Sequence, residues 1–154
     1  MARVAVEPDQ TVRDAIFSHL ARYDVDEVVE SLIHHLSSDD AGFRMAVVEV
    51  LSRTTTATAR RIPQLLHDPD PDIRILTVMV LSCLRTTQVS QWLGELVRED
   101  TNQRVVAAAI GELAALEGPG CLPVLYAART RFPADPFIAF SVDQAAMMLE
   151  GEAW

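Results

Sequence analysis

Lysine is missing altogether: all thirteen basic residues of this 154-residue chain are arginine. That removes Schiff-base chemistry on a side chain and the lysine of a phosphate-binding loop. Cysteine is scarce as well. Cys83 and Cys121 are too few for a disulfide framework and too far apart for a C-x-x-C zinc motif. Cys83, inside the run "VMVLSCL", is expected as a small buried hydrophobe. Cys121 follows Gly-Pro-Gly at a predicted helix start and is the one candidate for a reactive thiol. Aromatic residues make up only 6% of the chain, which suits helices packed through aliphatic side chains better than a sandwich or barrel. No apolar run approaches the ~20 residues of a membrane span, and "MARVAVEPDQ" carries no signal-peptide core. The expectation is a soluble cytoplasmic protein with no membrane partner, and the arginine-only composition points to a GC-rich bacterial genome.

Catalytic signatures are missing too. No G-x-S-x-G, H-E-x-x-H, G-x-G-x-x-G or Walker motif occurs. His34 and His35 are neighbours, so on a helix they diverge by about 100° and cannot face one metal together. His34 and His67 offer a metal pair across two segments, but solvated surface histidines are the expectation, as they are for the carboxylates Glu27 and Glu30. No catalytic residue, cofactor or metal is therefore expected.

Charge is abundant and lopsided. The net charge is −9, and residues 1–40 hold nine acids against three arginines while residues 41–70 hold three acids against four. Such a chain repels phosphate backbones, and Arg60-Arg61 is too small a basic cluster to reverse that. Nucleic acid is excluded as a partner.

What is present is a period. Asp-x-x-x-Arg recurs as Asp9/Arg13, Asp40/Arg44, Asp70/Arg74 and Asp100/Arg104, at spacings of 31, 30 and 30 residues. A fifth copy starts at Asp135, with Ala139 in the arginine position. Apolar residues keep the same clock: Leu20, Leu51 and Leu81 follow the first three arginines by seven, and Leu32, Ile62 and Trp92 precede the next aspartates by eight. Offsets of three and four residues trace one helical face. Each unit reads as two antiparallel helices. First helices are predicted at about 10–22, 41–53, 71–85 and 102–116, second helices at about 25–37, 57–67, 87–98 and 121–131, and a last unpaired helix at about 136–150, stopping at Gly151. Pro63 either opens a shortened second helix or kinks it, whereas Pro123 fits a first turn.

The stretch "HDPDPDIR" first looks like a calcium loop. An EF-hand starting at Asp68 needs glycine at position six and glutamate at twelve, where Ile73 and Met79 stand, so the metal reading fails. Asp70 instead caps the next helix, Pro71 occupies its first position, and Arg74 ties it to a neighbouring unit. One helix pair cannot bury its apolar stripe alone, but stacked pairs bury a continuous core.

"LLHDPDPDIRILTVMVL" resembles the HEAT-like repeats of the bilin-lyase type, which read L-x-D-P-D-x-x-V-R before a helix of small and aliphatic residues. The resemblance implies an all-α fold: an α-solenoid, a right-handed superhelix of about four and a half HEAT-like helix-pair repeats. Residues 1–154 would form a single repeat domain, with repeats at about 9–39, 40–69, 70–99 and 100–134 and a terminal half-repeat at 135–150. It implies a non-enzymatic adaptor or scaffold that binds another protein through a concave face lined by the second helices. Candidate partner-binding residues are Glu27, Glu30 and His34, then Arg60, Arg61, Gln64 and His67, then Gln88, Gln91, Glu95 and Arg98. Its alternative is an accessory subunit or chaperone of a bilin-lyase-like enzyme acting on a tetrapyrrole-carrying protein. The diiron ligands of HEAT-like deoxyhypusine hydroxylases are absent, since no His-Glu pair occurs. On the last helix, Phe137, Phe140, Met147 and Met148 spread over more than one face. Burial against the fourth unit is the plainer expectation for them, and a homodimer contact or partner groove is the other.

Overall fold

The computed structural model describes residues 9–84 and 86–151, so the expected end of the third first-helix at residue 85 lies outside the described residues, as do positions 1–8 of the proposed domain. The described residues form nine α-helices and no strand. First helices are α1 (Gln10–Leu20), α3 (Ala41–Arg53), α5 (Pro71–Leu81), α7 (Gln103–Glu117) and α9 (Pro136–Gly151). Second helices are α2 (Asp26–Ile33), α4 (Thr55–Leu65), α6 (Gln88–Glu99) and α8 (Leu122–Arg131), the last preceded by a 3-10 turn, Gly118–Cys121.

The recurring aspartates start the first helices. Asp9 accepts from the backbone N–H groups of Thr11 and Val12 at 2.8 and 3.3 Å, Asp40 from Phe43 at 3.1 Å, and Asp70 from Asp72 at 2.9 Å. Each satisfies donors that the first turn leaves unpaired. The fourth start slides by two residues. Asp100 accepts from Asn102, and Asn102 then accepts from Arg104 at 2.9 Å, so α7 begins at Gln103.

Three boundaries differ from expectation. Helix α2 ends at Ile33 and hands over to turns through Ser37, and α5 ends at Leu81. Pro63 does not open α4: the helix starts at Thr55 and carries Pro63 in its last turn, where the lost N–H removes a single bond. Pro123 does sit in the first turn of α8.

Aliphatic side chains between the two layers make the core. Val29, Leu32, Leu51, Ile62, Leu81, Leu93, Ile110, Leu125 and Ile138 are fully buried. The buried threonines are satisfied: Thr54 donates to the Val50 carbonyl and meets the Thr58 hydroxyl at 3.1 Å, and Thr77 donates to Ile73. First helices pack one on the next without a break from α1 to α9, whereas second helices pack closely only as α2 on α4 and α6 on α8. The looser step between α4 and α6 opens a cleft of about 240 Å³. Arginines tie the stack along its length. Arg13 reaches Asp40 at 3.2 Å, and Arg74 clasps Asp100 through two nitrogens, at 2.8 and 3.0 Å, while also donating to the Asp68 carbonyl. Arg131 binds the carbonyls of Val97 and Asp100 at the end of α6. Arg44 stays within its own turn, on the Ser38 carbonyl, and Arg104 points back to Asp72. The ladder thus spans repeats at three of its four arginines, all but Arg44.

Candidate interaction surfaces

The second-helix candidates divide into two groups. Glu30 and the two adjacent arginines are engaged within the protein. Arg60 donates twice to Asp26, at 3.0 and 2.8 Å, and Arg61 pairs with Glu30 at 2.7 Å. Beside them, Asp24 accepts the backbone N–H groups of Thr56 and Ala57 at 2.9 and 2.7 Å. It thereby caps α4 from the preceding repeat, because Thr54, at the cap position, makes no side-chain cap bond. Burial works to raise the Asp24 pKa, but those two N–H donors and Arg60 outweigh it and hold the carboxyl below its ordinary value. The contrast between an acidic first unit and a basic second one is therefore a zipper joining α2 to α4.

The second group stays accessible. Glu27, His34, Gln64, Gln88 and Arg98 are exposed. His67 and Glu95 line the α4–α6 cleft together with Trp92 and Glu99, so the fold brings these two candidates to one place. His67 meets the Pro63 carbonyl through Nδ1 at 2.7 Å, and Gln91 donates to Glu95 at 2.9 Å. Among the described residues no group of three or more His, Cys, Asp or Glu side chains could hold a metal ion.

Another concavity lies on the other layer. A shallow groove of about 700 Å³ crosses α3, α5 and α7, and Met45, Ala46, Glu49, Met79, Cys83 and Glu112 are among its lining residues. Cys83 corrects an expectation: it is exposed, because α5 ends at Leu81 and the next turn aims Ser82 and Cys83 outward while Leu84 folds in. Cys121 is the buried thiol.

Repeat register explains the groove. Positions 2, 5, 9 and 12 after the capping residue share one helical face, and Met45 and Met79 occupy such positions after Asp40 and Asp70. So do Phe137, Phe140 and Met147 on α9, after Asp135. Burial of the α9 side chains against the fourth unit is not what the structure shows. Phe137, Phe140, Met147 and Met148 remain between 46% and 68% exposed, because Ile138, Val142, Ala145 and Leu149 supply the face that packs inward. Arg129 on α8 pairs with Asp143 on α9.

A layered stack of antiparallel helix pairs with a recurring capped start is an α-solenoid. A family model of HEAT repeats matches residues 58–136, and the chain belongs to the HEAT-repeat family. No curated protein and no solved structure matches the chain. HEAT repeats commonly serve as scaffolds for protein interaction and are generally non-catalytic. No described helix is long and apolar enough to cross a membrane.

Proposed function

We propose that this protein is a small, non-catalytic cytoplasmic adaptor that binds a partner protein along its solenoid surface. One observation carries the reading: exposed methionine and phenylalanine side chains recur on one face of the first-helix layer, at Met45, Met79, Phe137, Phe140 and Met147. A row of large apolar residues left in water by an otherwise well-filled core is an interaction surface by its energetics. Around the α4–α6 cleft, Gln64, His67, Gln88, Gln91, Glu95 and Arg98 offer a polar contact on the opposite layer.

Affinity capture from the native host tests the reading with three chains. These are wild type, a Met45→Ser/Met79→Ser variant, and a Gln64→Ala/Gln88→Ala/Arg98→Ala variant. Adaptor function requires that wild type retain a defined protein and that at least one surface variant lose it. Equal capture by all three, or none by wild type, contradicts it.

The exposed face of α9 supports a second contact, with another copy of the chain. It carries Phe137, Phe140, Met147 and Met148, and its Asp143 is paired with Arg129. The tetrapyrrole reading differs in its readout: a free bilin mixed with the protein would shift its absorbance, which an adaptor leaves unchanged.

A further inference from the structure

The α3–α5–α7 groove has a feature that narrows what fits it. Its apolar surface comes from Met45, Ala46 and Met79, with the two methionines 44% and 38% exposed. Methionine is unbranched and adapts its shape, so such a floor accepts aliphatic side chains of varied outline. Two carboxylates edge it. Glu49 has an arginine of its own turn, Arg53, at 3.8 Å. Glu112 has none: no ion pair among the described residues reaches it, and it is half-buried at the groove wall. Burial pushes its carboxyl above the ordinary glutamate value, the direction taken by an acid without a counter-ion in apolar surroundings.

The dimensions add a constraint. Three stacked first helices at 8–10 Å between axes span roughly 20 Å, the length of a helix of about 13 residues at 1.5 Å each. From this geometry we infer that the groove is the docking site for an amphipathic helix of a partner protein. That helix lays aliphatic anchors on Met45 and Met79 and sets an arginine or lysine against Glu112. Charge complementarity selects this occupant. Nucleic acid would bring phosphate toward Glu49 and Glu112, and a second copy of the chain would bring a further net charge of −9. The mode is helix-in-groove recognition, in which apolar anchors give affinity and the ion pair gives register. This inference rests on the adaptor reading and names the site and the chemical class of the partner segment.

Three labelled 14-residue synthetic peptides test it by fluorescence anisotropy on the full chain. One carries leucine on one helical face and lysine on the other; one replaces every leucine by serine at the same charge; one replaces every lysine by glutamate. The Leu/Lys peptide should bind at least tenfold more tightly than either of the others. Met79→Glu should reduce its affinity at least tenfold, and Met45→Glu should do the same. Glu112→Gln should weaken it about fivefold, the scale of one partly exposed ion pair. Gln91→Ala, on the opposite layer, should leave it unchanged. Both methionines are exposed, so these variants fold, which a circular dichroism melt checks directly. Equal binding of the Leu/Lys and Ser/Lys peptides, failure of the Leu/Lys peptide to bind, or binding by Met79→Glu and Met45→Glu at the wild-type level overturns the inference. A chain that ignores all three peptides yet still captures its partner from the host overturns this site alone and leaves the adaptor reading standing.

Discussion

Replacing Arg74 with methionine should destabilise the protein far more than any other repeat arginine. Arg74 holds Asp100 through Nε and Nη2 while its Nη1 satisfies the Asp68 carbonyl, and the two side chains are only 13% and 6% exposed. Methionine keeps most of the aliphatic volume and removes the charge, leaving Asp100 buried with only the N–H of Asn102 as a donor. Stranding one member of a buried pair costs about 3 kcal/mol or more. With a urea dependence of about 2 kcal/mol per molar, the unfolding midpoint should fall by about 1.5 M. Arg104 is the internal control. It sits at the same repeat position and pairs with Asp72 at 2.9 Å, but those side chains are 62% and 64% exposed. Arg104→Met should therefore cost about 0.5 kcal/mol at most. Chemical denaturation followed by circular dichroism compares the two. Equal shifts, or an Arg74→Met shift under about 0.5 M, would refute the claim that burial separates them.

Further outcomes follow from the same geometry. Asp24→Ala should cost about 1 kcal/mol in urea denaturation, as lost helix caps do, although Asp24 lies a full repeat away from the helix it caps. The folded-state pKa of Asp24 is depressed, so its stabilisation is present above the unfolded value near 3.8 and fades as pH falls through the lower folded value. The gap in urea midpoint between wild type and Asp24→Asn should accordingly shrink below about pH 4, and a constant gap from pH 6 to 3 would contradict it. A thiol reagent should label Cys83 quickly in the native protein and Cys121 only on unfolding; one slow phase for both would show that Cys83 is covered. Phe140→Ser/Met147→Ser should leave the melting temperature within 2–3 °C, the effect of about 0.5 kcal/mol at exposed sites, and should shift sedimentation toward monomer if α9 mediates self-association.

Much of the architecture was readable because local chemistry and the period agreed. Asp9, Asp40 and Asp70 cap helices where their spacing said they would, and Arg74 ties two units as its position one turn into α5 implied. Cross-repeat contacts were harder. Asp24 and the N-terminus of α4 are separated by one repeat length, and nothing local to either marks the bond. One signal was present: α4 opens in "RTTTATARR" with no acid nearby, which leaves its first N–H groups in want of an acceptor. The charge contrast between residues 1–40 and 41–70 was visible, but its meaning depends on which faces meet. Stacking turned it into the Asp26–Arg60 and Glu30–Arg61 pairs. Cys83 escaped because an apolar run reads as one buried helix, and the two-residue overshoot beyond Leu81 swings the thiol to the surface. The groove escaped for a related reason. Methionine on a first-helix stripe looks like core, and only the packing of α3, α5 and α7 shows which face remains in water.

The most direct test of how this solenoid works is site-specific photo-crosslinking in the native host, with the reactive group placed in turn at Met79 on the first-helix layer and at Gln91 on the second. The account predicts a defined protein adduct from position 79 that disappears when Glu112 is replaced by arginine. Adducts from position 91 alone, or none from either position, would contradict it.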